Sequence, residues 1–139
     1  MIVVFVIGHM DPRLLGVAKR VKEYRPSDFE LIATYLSLFT EIVLLPNTLT
    51  EASNLLGYFD GERKETCLTF LGVLAGTGER YVASVTAARR GEYTSLGLTD
   101  AAILCALGPD TVLLSADWPL CVAASCDGHQ VQYFPDLRQ

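Results

Sequence analysis

The sequence predicts an α/β domain in which a short, mainly parallel sheet is flanked by helices. Three short apolar segments, at residues 42–45, 111–115 and 130–134, are rich in strand-forming residues and are bounded by turn residues. Segments with apolar residues at helical spacing lie between them. This alternation is typical of a parallel sheet, whose strands need crossover connections. The chain has no internal repeat or linker, so residues 1–139 are predicted to form a single domain.

Four helices are predicted in the first half of the chain, three of them from a local start signal. Asp11, directly before a proline, is a helix N-cap, and Thr48 caps the third helix. Ser27 with Glu30 three residues later is a capping box for the second helix. Residues 2–7 are uniformly apolar and fit either a buried strand or a helix. The four helices are predicted to end at about residues 23, 40, 59 and 75.

The second half of the chain begins with a predicted short strand at residues 81–85. Thr99 is the expected N-cap of an apolar helix that starts near Asp100. The segment 111–115 is the strongest strand candidate, and a helix over 119–126 separates it from the last strand. This end of the chain therefore predicts a strand–helix–strand unit.

The composition indicates a soluble, reduced and self-associating protein. Half of the residues are hydrophobic and the mean hydropathy is +0.31, so some apolar surface is predicted to be buried in a homodimer. The longest apolar run, residues 1–7, is too short for a bilayer and lacks the features of a signal peptide. The four cysteines show no C-x-x-C spacing, so zinc is not expected. We predict a cytoplasmic location without a membrane partner.

The net charge of −5 argues against nonspecific DNA binding. Five basic residues nevertheless cluster near the N-terminus, and a second small basic patch is formed by Arg89 and Arg90. The first cluster fits either a solvated helix face or a surface that contacts nucleic-acid phosphates. Its members are Arg13, Lys19, Arg20, Lys22 and Arg25.

Three acidic residues stand at the ends of predicted elements. Asp100 opens an apolar helix, Asp117 follows the strand at 111–115, and Glu51 lies one turn into the helix after the strand at 42–45. Strand ends and helix starts gather at one edge of an open α/β sheet, where ligands bind. Carboxylates placed together repel one another unless a cation or a shared proton offsets their charge. A divalent metal site is therefore predicted.

Each acid also has a purely structural interpretation. Glu51 fits an exposed position near a helix N-terminus, and Asp117 fits an N-cap or turn residue. Asn54 shares the helix face of Glu51 and can bring an amide to the same site. Oxygen ligands select Mg²⁺ or Mn²⁺, and neither His9 nor His129 has a second ligand at metal spacing. The chemistry that fits such ligands is metal-assisted hydrolysis of a phosphodiester.

Four segments resemble the PIN-domain family. Residues 44–56 resemble its signature around a helical glutamate, and residues 97–104 are similar to its Leu-Thr-Asp-Ala segment. Residues 113–117 look like its Thr-x-Asp strand end, and residues 131–138 fit its last strand. The resemblance covers nearly the whole chain. It implies a PIN-like three-layer fold and an Mg²⁺- or Mn²⁺-dependent endoribonuclease, in many members the toxin of a bacterial toxin–antitoxin pair.

The resemblance also implies roles for individual residues and partners. Glu51, Asp100 and Asp117 would be catalytic metal ligands, with Asn54 and Ser115 supporting them. Ser115 keeps the hydroxyl of the threonine that is usual at its position. The implied partners are an RNA substrate, an antitoxin protein and a second copy of the chain.

The chain departs from the family at its start. The family's first strand ends in Asp-Thr-Asn, and in the register set by Gly8 and Asp11 this aspartate would precede Met1. Residues 2–7 would then be the helix after that strand. Either the reading frame starts upstream, or the chain is a degenerate PIN domain that acts as a binding or dimerisation module. Asp11 could replace the missing acid only if residues 2–7 are the first strand.

Overall fold

The computed structural model describes all 139 residues, which divide into two compact units. Unit 1 is Met1–Glu79 and unit 2 is Arg80–Gln139. The helices of unit 1 are α1 (Ile2–Met10), α2 (Pro26–Leu36), α3 (Pro46–Leu56) and α4 (Gly61–Ala75). Unit 2 contains the helices α5 (Ser84–Ala87), α6 (Tyr93–Leu96), α7 (Leu98–Ala106) and α8 (Trp118–Cys126), and the strands β1 (Val112–Ser115) and β2 (Gln130–Tyr133).

The two strands of unit 2 confirm the predicted fold class, a short parallel sheet with flanking helices. β1 and β2 pair in parallel, with a register from Val112–Gln130 to Ser115–Tyr133. α8 is the crossover connection between them and packs on both strands. The predicted strand–helix–strand unit is therefore present, with boundaries that differ by one residue from those that the sequence predicts.

Side chains from three elements of unit 2 share one buried core. Leu104 of α7, Leu113 of β1 and Leu120 and Ala124 of α8 form a cluster, and Val131 of β2 packs against it. Burial of these side chains stabilises the unit by removing apolar surface from water. The core thereby holds the helix that carries Asp100 and the strand that leads to Asp117 in one framework.

The N-terminal apolar segment is helical, so the helix alternative for residues 2–7 is correct. α1 contacts α2, α3 and α4, and this burial on several sides overrides the strand preference of its β-branched residues. Asp11 follows α1 and caps a 3₁₀ turn, Pro12–Leu14, by accepting a hydrogen bond from the Arg13 amide. Asp11 therefore does not end a first strand, which was the condition for its role as a substitute metal ligand.

Two predictions about the segment after α1 were wrong. The helix expected to run to Glu23 ends after three residues, because Gly16 has a φ of +84° and its amide donates to the Val21 carbonyl. The capping box expected at Ser27 lies two positions earlier, with Arg25 as the N-cap of α2. Pro26 takes the first helical position of α2, and Asp28 accepts a hydrogen bond from the Arg25 amide at 2.7 Å.

Two expected strands are absent. Residues 42–45 make only a single parallel bridge, between Leu44 and Glu79, and α3 begins directly after them at Pro46. The same early start makes Leu45, rather than Thr48, the N-cap. Residues 81–85 run into α5 instead of forming a strand, and no neighbouring strand is there to pair with them.

None of the eight α-helices combines the length and the apolar character needed to cross a bilayer.

An ion network ties the C-terminal end of α8 to the loop before α6. Arg90 donates to the Glu92 carboxylate at 3.1 and 3.2 Å and also binds Asp127, the C-cap residue of α8. The hydrogen bonds from Arg90 hold the pKa of Glu92 below its usual value of 4.5.

A depressed carboxyl pKa predicts a pH-dependent contribution of Glu92 to stability. Its stabilisation is present above pH 4.5 and is lost as the pH falls through the folded-state pKa. We expect Glu92→Gln to unfold at lower urea concentration than wild type at neutral pH, with a difference that shrinks in acid. Urea unfolding across this pH range tests this, and a difference independent of pH would contradict it.

Candidate metal centre

Asp117 lies two residues beyond the end of β1 and caps α8. Its Oδ1 accepts a hydrogen bond from the Leu120 amide at 3.0 Å, and its own amide donates to Ser115 Oγ at 3.0 Å. The predicted N-cap role is therefore confirmed. The side chain is exposed, and the cap engages one of its two carboxylate oxygens. A structural role and a ligand role are thus compatible in this residue.

Asp100 is the third residue of α7 and is half-buried. The N-cap of α7 is Gly97 rather than Thr99, because the chain passes directly from α6 into α7 through one residue with a φ of +91°. Asp100 consequently lies in the first turn, where the helix dipole favours a carboxylate. The structure places it in the same unit as Asp117.

Asp136 is an acid at the end of β2 that the sequence analysis missed. β1 and β2 are parallel and Ser115 pairs with Tyr133, so both strands end at the same edge. Asp136 follows in the 3₁₀ turn Phe134–Arg138 and is itself exposed. Applying the strand-end rule to the last strand would have found this carboxylate.

The pKa of the Cys121 thiol responds to the charges of both Asp117 and Asp136. Burial is the main cause that raises the pKa of Cys121, and the negative charges of Asp117 and Asp136 raise it further. Both carboxylates therefore act on the same side chain near the end of the sheet. Cys121 itself is buried in α8, so it contributes packing rather than a thiolate.

Trp118 is a second feature that the sequence analysis did not use. It is the only tryptophan of the chain, directly follows Asp117, and is 58% exposed. Its ring meets the ring of Tyr133 edge-on, with centroids 5.0 Å apart. A large aromatic surface beside a carboxylate makes this side chain a natural spectroscopic reporter for ligands at Asp117.

Glu51 and Asn54 lie in unit 1, on α3, and both are exposed. Their spacing of three residues places them on one helix face, as predicted. Because α3 begins at Pro46, Glu51 is its sixth residue and lies beyond the first turn. The helix dipole therefore stabilises the charge of Glu51 less than a position in the first turn would.

The donor types fit a hard divalent cation, but the structure does not assemble a complete ligand set. Carboxylate and hydroxyl oxygens from Asp100, Ser115, Asp117 and Asp136 belong to unit 2 and suit Mg²⁺ or Mn²⁺. Neither unit contains a group of three or more His, Cys, Asp or Glu side chains placed to hold a metal ion. Glu51 belongs to unit 1.

The other chemically active side chains have structural surroundings. His9 stacks on Phe70 with ring centroids 4.0 Å apart. All four cysteines are free thiols. Burial raises the pKa of Cys67, as it does for Cys121, so neither thiol is a good nucleophile. Carboxylates remain the chemically distinctive groups.

Comparison of the chain with protein-family models, with curated proteins and with solved structures gave no match in any of the three. The resemblance to PIN domains therefore stays a prediction that depends on the short segments described above. Any functional proposal depends on the residues themselves and on their placement in the fold.

Proposed function

We propose that the chain is an Mg²⁺- or Mn²⁺-dependent endoribonuclease of the PIN type and the toxin of a toxin–antitoxin pair. The observation that carries the proposal is the position of Asp117, an exposed carboxylate just beyond the end of a parallel strand. Ligands of open α/β sheets bind at this edge. The short sheet and its crossover helix supply that edge in unit 2.

In this proposal Asp100 and Asp117 hold the cation, and the metal supplies electrophilic assistance to hydrolysis of an RNA phosphodiester. Ser115 positions Asp117 by accepting a hydrogen bond from its amide. The hydrogen bond to the Leu120 amide orients the carboxylate further. Glu51, the third acid that the family resemblance implies, and Asn54 belong to unit 1.

The proposed partners follow from the same resemblance and from the composition. RNA is the substrate, an antitoxin protein is the regulator, and a second copy of the chain forms a homodimer. A hydrophobic content of 50% supports an additional buried interface. We also propose that the protein acts in the cytoplasm.

One observation favours a second candidate, a catalytically degenerate PIN domain that acts as a binding module. Neither unit contains three acidic, histidine or cysteine side chains grouped for a metal ion. A cation held by fewer carboxylates binds more weakly. A binding module of this kind would keep the fold and the exposed acids without cleaving RNA.

Cleavage of a mixed RNA pool by the purified chain distinguishes the two candidates. The nuclease proposal expects fragments with Mn²⁺ or Mg²⁺ and none with EDTA. An Asp100→Asn variant prepared in parallel is the control for a contaminating nuclease and should give no fragments. Absence of cleavage under all three conditions would favour the binding module.

A further inference from the structure

A closed surface loop in unit 1 displays part of the N-terminal basic cluster. The Gly16 amide donates to the Val21 carbonyl at 3.1 Å, which closes residues 16–21 into a compact loop. Leu15 and Val21 are buried at its base. Lys19 and Arg20 are exposed at its tip. The loop is therefore anchored by apolar burial while its cations remain accessible.

Arg20 contacts Tyr58 in two ways. Its Nη2 donates to the Tyr58 hydroxyl at 2.9 Å, and its guanidinium carbon lies 4.7 Å from the centroid of the same ring. Tyr58 is nevertheless 70% exposed. The ring is thus held in place by a cation and still offers a large surface to a ligand. Holding the ring in advance lowers the entropy that binding would cost.

The loop is positively charged within a negatively charged protein. Residues 15–25 contain four basic residues and one acidic residue, a net charge of +3. The whole chain carries −5, so the remaining residues carry −8. All four cations of this segment are exposed. A locally positive net charge on a negatively charged protein attracts a polyanion to this surface.

Tyr58 continues the helix face that carries Glu51 and Asn54. The backbone at Gly57 stays helical, with φ −62° and ψ −11°, so the turn after α3 preserves the helical spacing. Residues separated by three and seven positions lie on the same side of a helix. A strand of RNA bound at Tyr58 would therefore lie along the face on which Glu51 is found.

We propose that Tyr58, Arg20 and the exposed lysines Lys19 and Lys22 form a binding surface for single-stranded RNA. A base stacks on the ring of Tyr58, and the lysines contact the flanking phosphates. An unpaired strand is required because a duplex keeps its base faces stacked inside. This inference rests on the proposed nuclease function and names the surface that holds its substrate.

Binding of a fluorescent RNA of about 12 nucleotides, a typical length for single-strand sites, tests the proposal by anisotropy in EDTA. The metal is absent, so binding is measured apart from cleavage. We expect Tyr58→Ala and Arg20→Ala to weaken binding about tenfold, and Tyr58→Phe to weaken it less because the ring remains. Tyr81→Ala, at a tyrosine that is 77% exposed, and Lys64→Ala on α4 are the matched controls and should bind like wild type.

Three results would overturn the inference. The first is equal RNA affinity of Tyr58→Ala and Tyr81→Ala, and the second is an equal loss of RNA affinity in Arg20→Ala and Lys64→Ala. The third is wild-type affinity for a duplex of the same sequence that equals the affinity for the single strand. The first would show that no RNA base stacks on the ring of Tyr58. The expected binding pattern in a protein that never cleaves RNA would support the surface and contradict the nuclease. Metal-dependent cleavage by the wild type, together with unchanged RNA binding by Tyr58→Ala, would support the nuclease and contradict the surface.

Discussion

Asp117→Asn is expected to lower metal-dependent RNA cleavage by about a hundredfold or more while leaving unit 2 folded. Loss of a metal ligand removes several kcal/mol of transition-state stabilisation, and each 1.36 kcal/mol is a factor of ten in rate. Asparagine caps a helix about as well as aspartate, so the hydrogen bond to the Leu120 amide is retained. Cleavage kinetics and a thermal unfolding curve of the same preparation provide both measurements.

Asp117→Ala separates the two roles of this residue. It removes the charge and also the cap, so it should lose cleavage and about 1 kcal/mol of stability. Asp110→Asn, at an exposed carboxylate in a turn of the same unit, is the matched control and should retain both. Full cleavage by Asp117→Asn would show that Asp117 only caps α8.

Gly8→Ala is expected to destabilise the protein by about 1 to 3 kcal/mol. A Cβ at Gly8 would lie 2.4 Å from two ring atoms of Phe29 and 2.7 Å from its Cβ. These atoms are near the backbone of α2, so a simple rotation of the ring does not remove the clash. The ring of Phe29 also packs against Phe5 of α1. Urea unfolding measures the effect through the midpoint.

Gly72→Ala is the matched control and should change stability in the opposite direction. Gly72 is an exposed residue inside α4, and a Cβ there meets nothing within 4 Å. Alanine is a better helix former than glycine by about 1 kcal/mol, so this variant should gain stability. A loss in both variants would show that the close approach of Gly8 to Phe29 is not the cause.

The sequence predicted the strand–helix–strand end of the chain well, because its signals there are local. The apolar strand pattern of residues 111–115 is followed by a separate helical pattern. The turn at Gly128 requires a positive φ, which glycine tolerates. The start of the chain was ambiguous because uniformly apolar segments have no periodicity. Only packing against three helices makes residues 2–10 helical.

The sequence predicts which kinds of residue belong to the candidate site, but it does not predict how they are arranged in space. The strand-end rule found Asp117 and could have found Asp136, since both follow parallel strands. The N-caps of α3 and α7 were misplaced by three and two residues, because α3 begins at Pro46 and α7 is capped by Gly97, ahead of the expected caps. Distances between acids depend on long-range packing, which spacing along one sequence does not encode.

The most direct test is a Mn²⁺ titration followed by tryptophan fluorescence. Trp118 is the only tryptophan and adjoins Asp117, so a paramagnetic ion bound there should quench its emission. This measurement needs no knowledge of the RNA target. If Asp100 and Asp117 hold a cation, quenching saturates in wild type, reverses with EDTA, and disappears in Asp117→Asn and Asp100→Asn. Quenching that never saturates, or that stays at the wild-type level in both variants, would contradict a metal centre at this edge of the sheet.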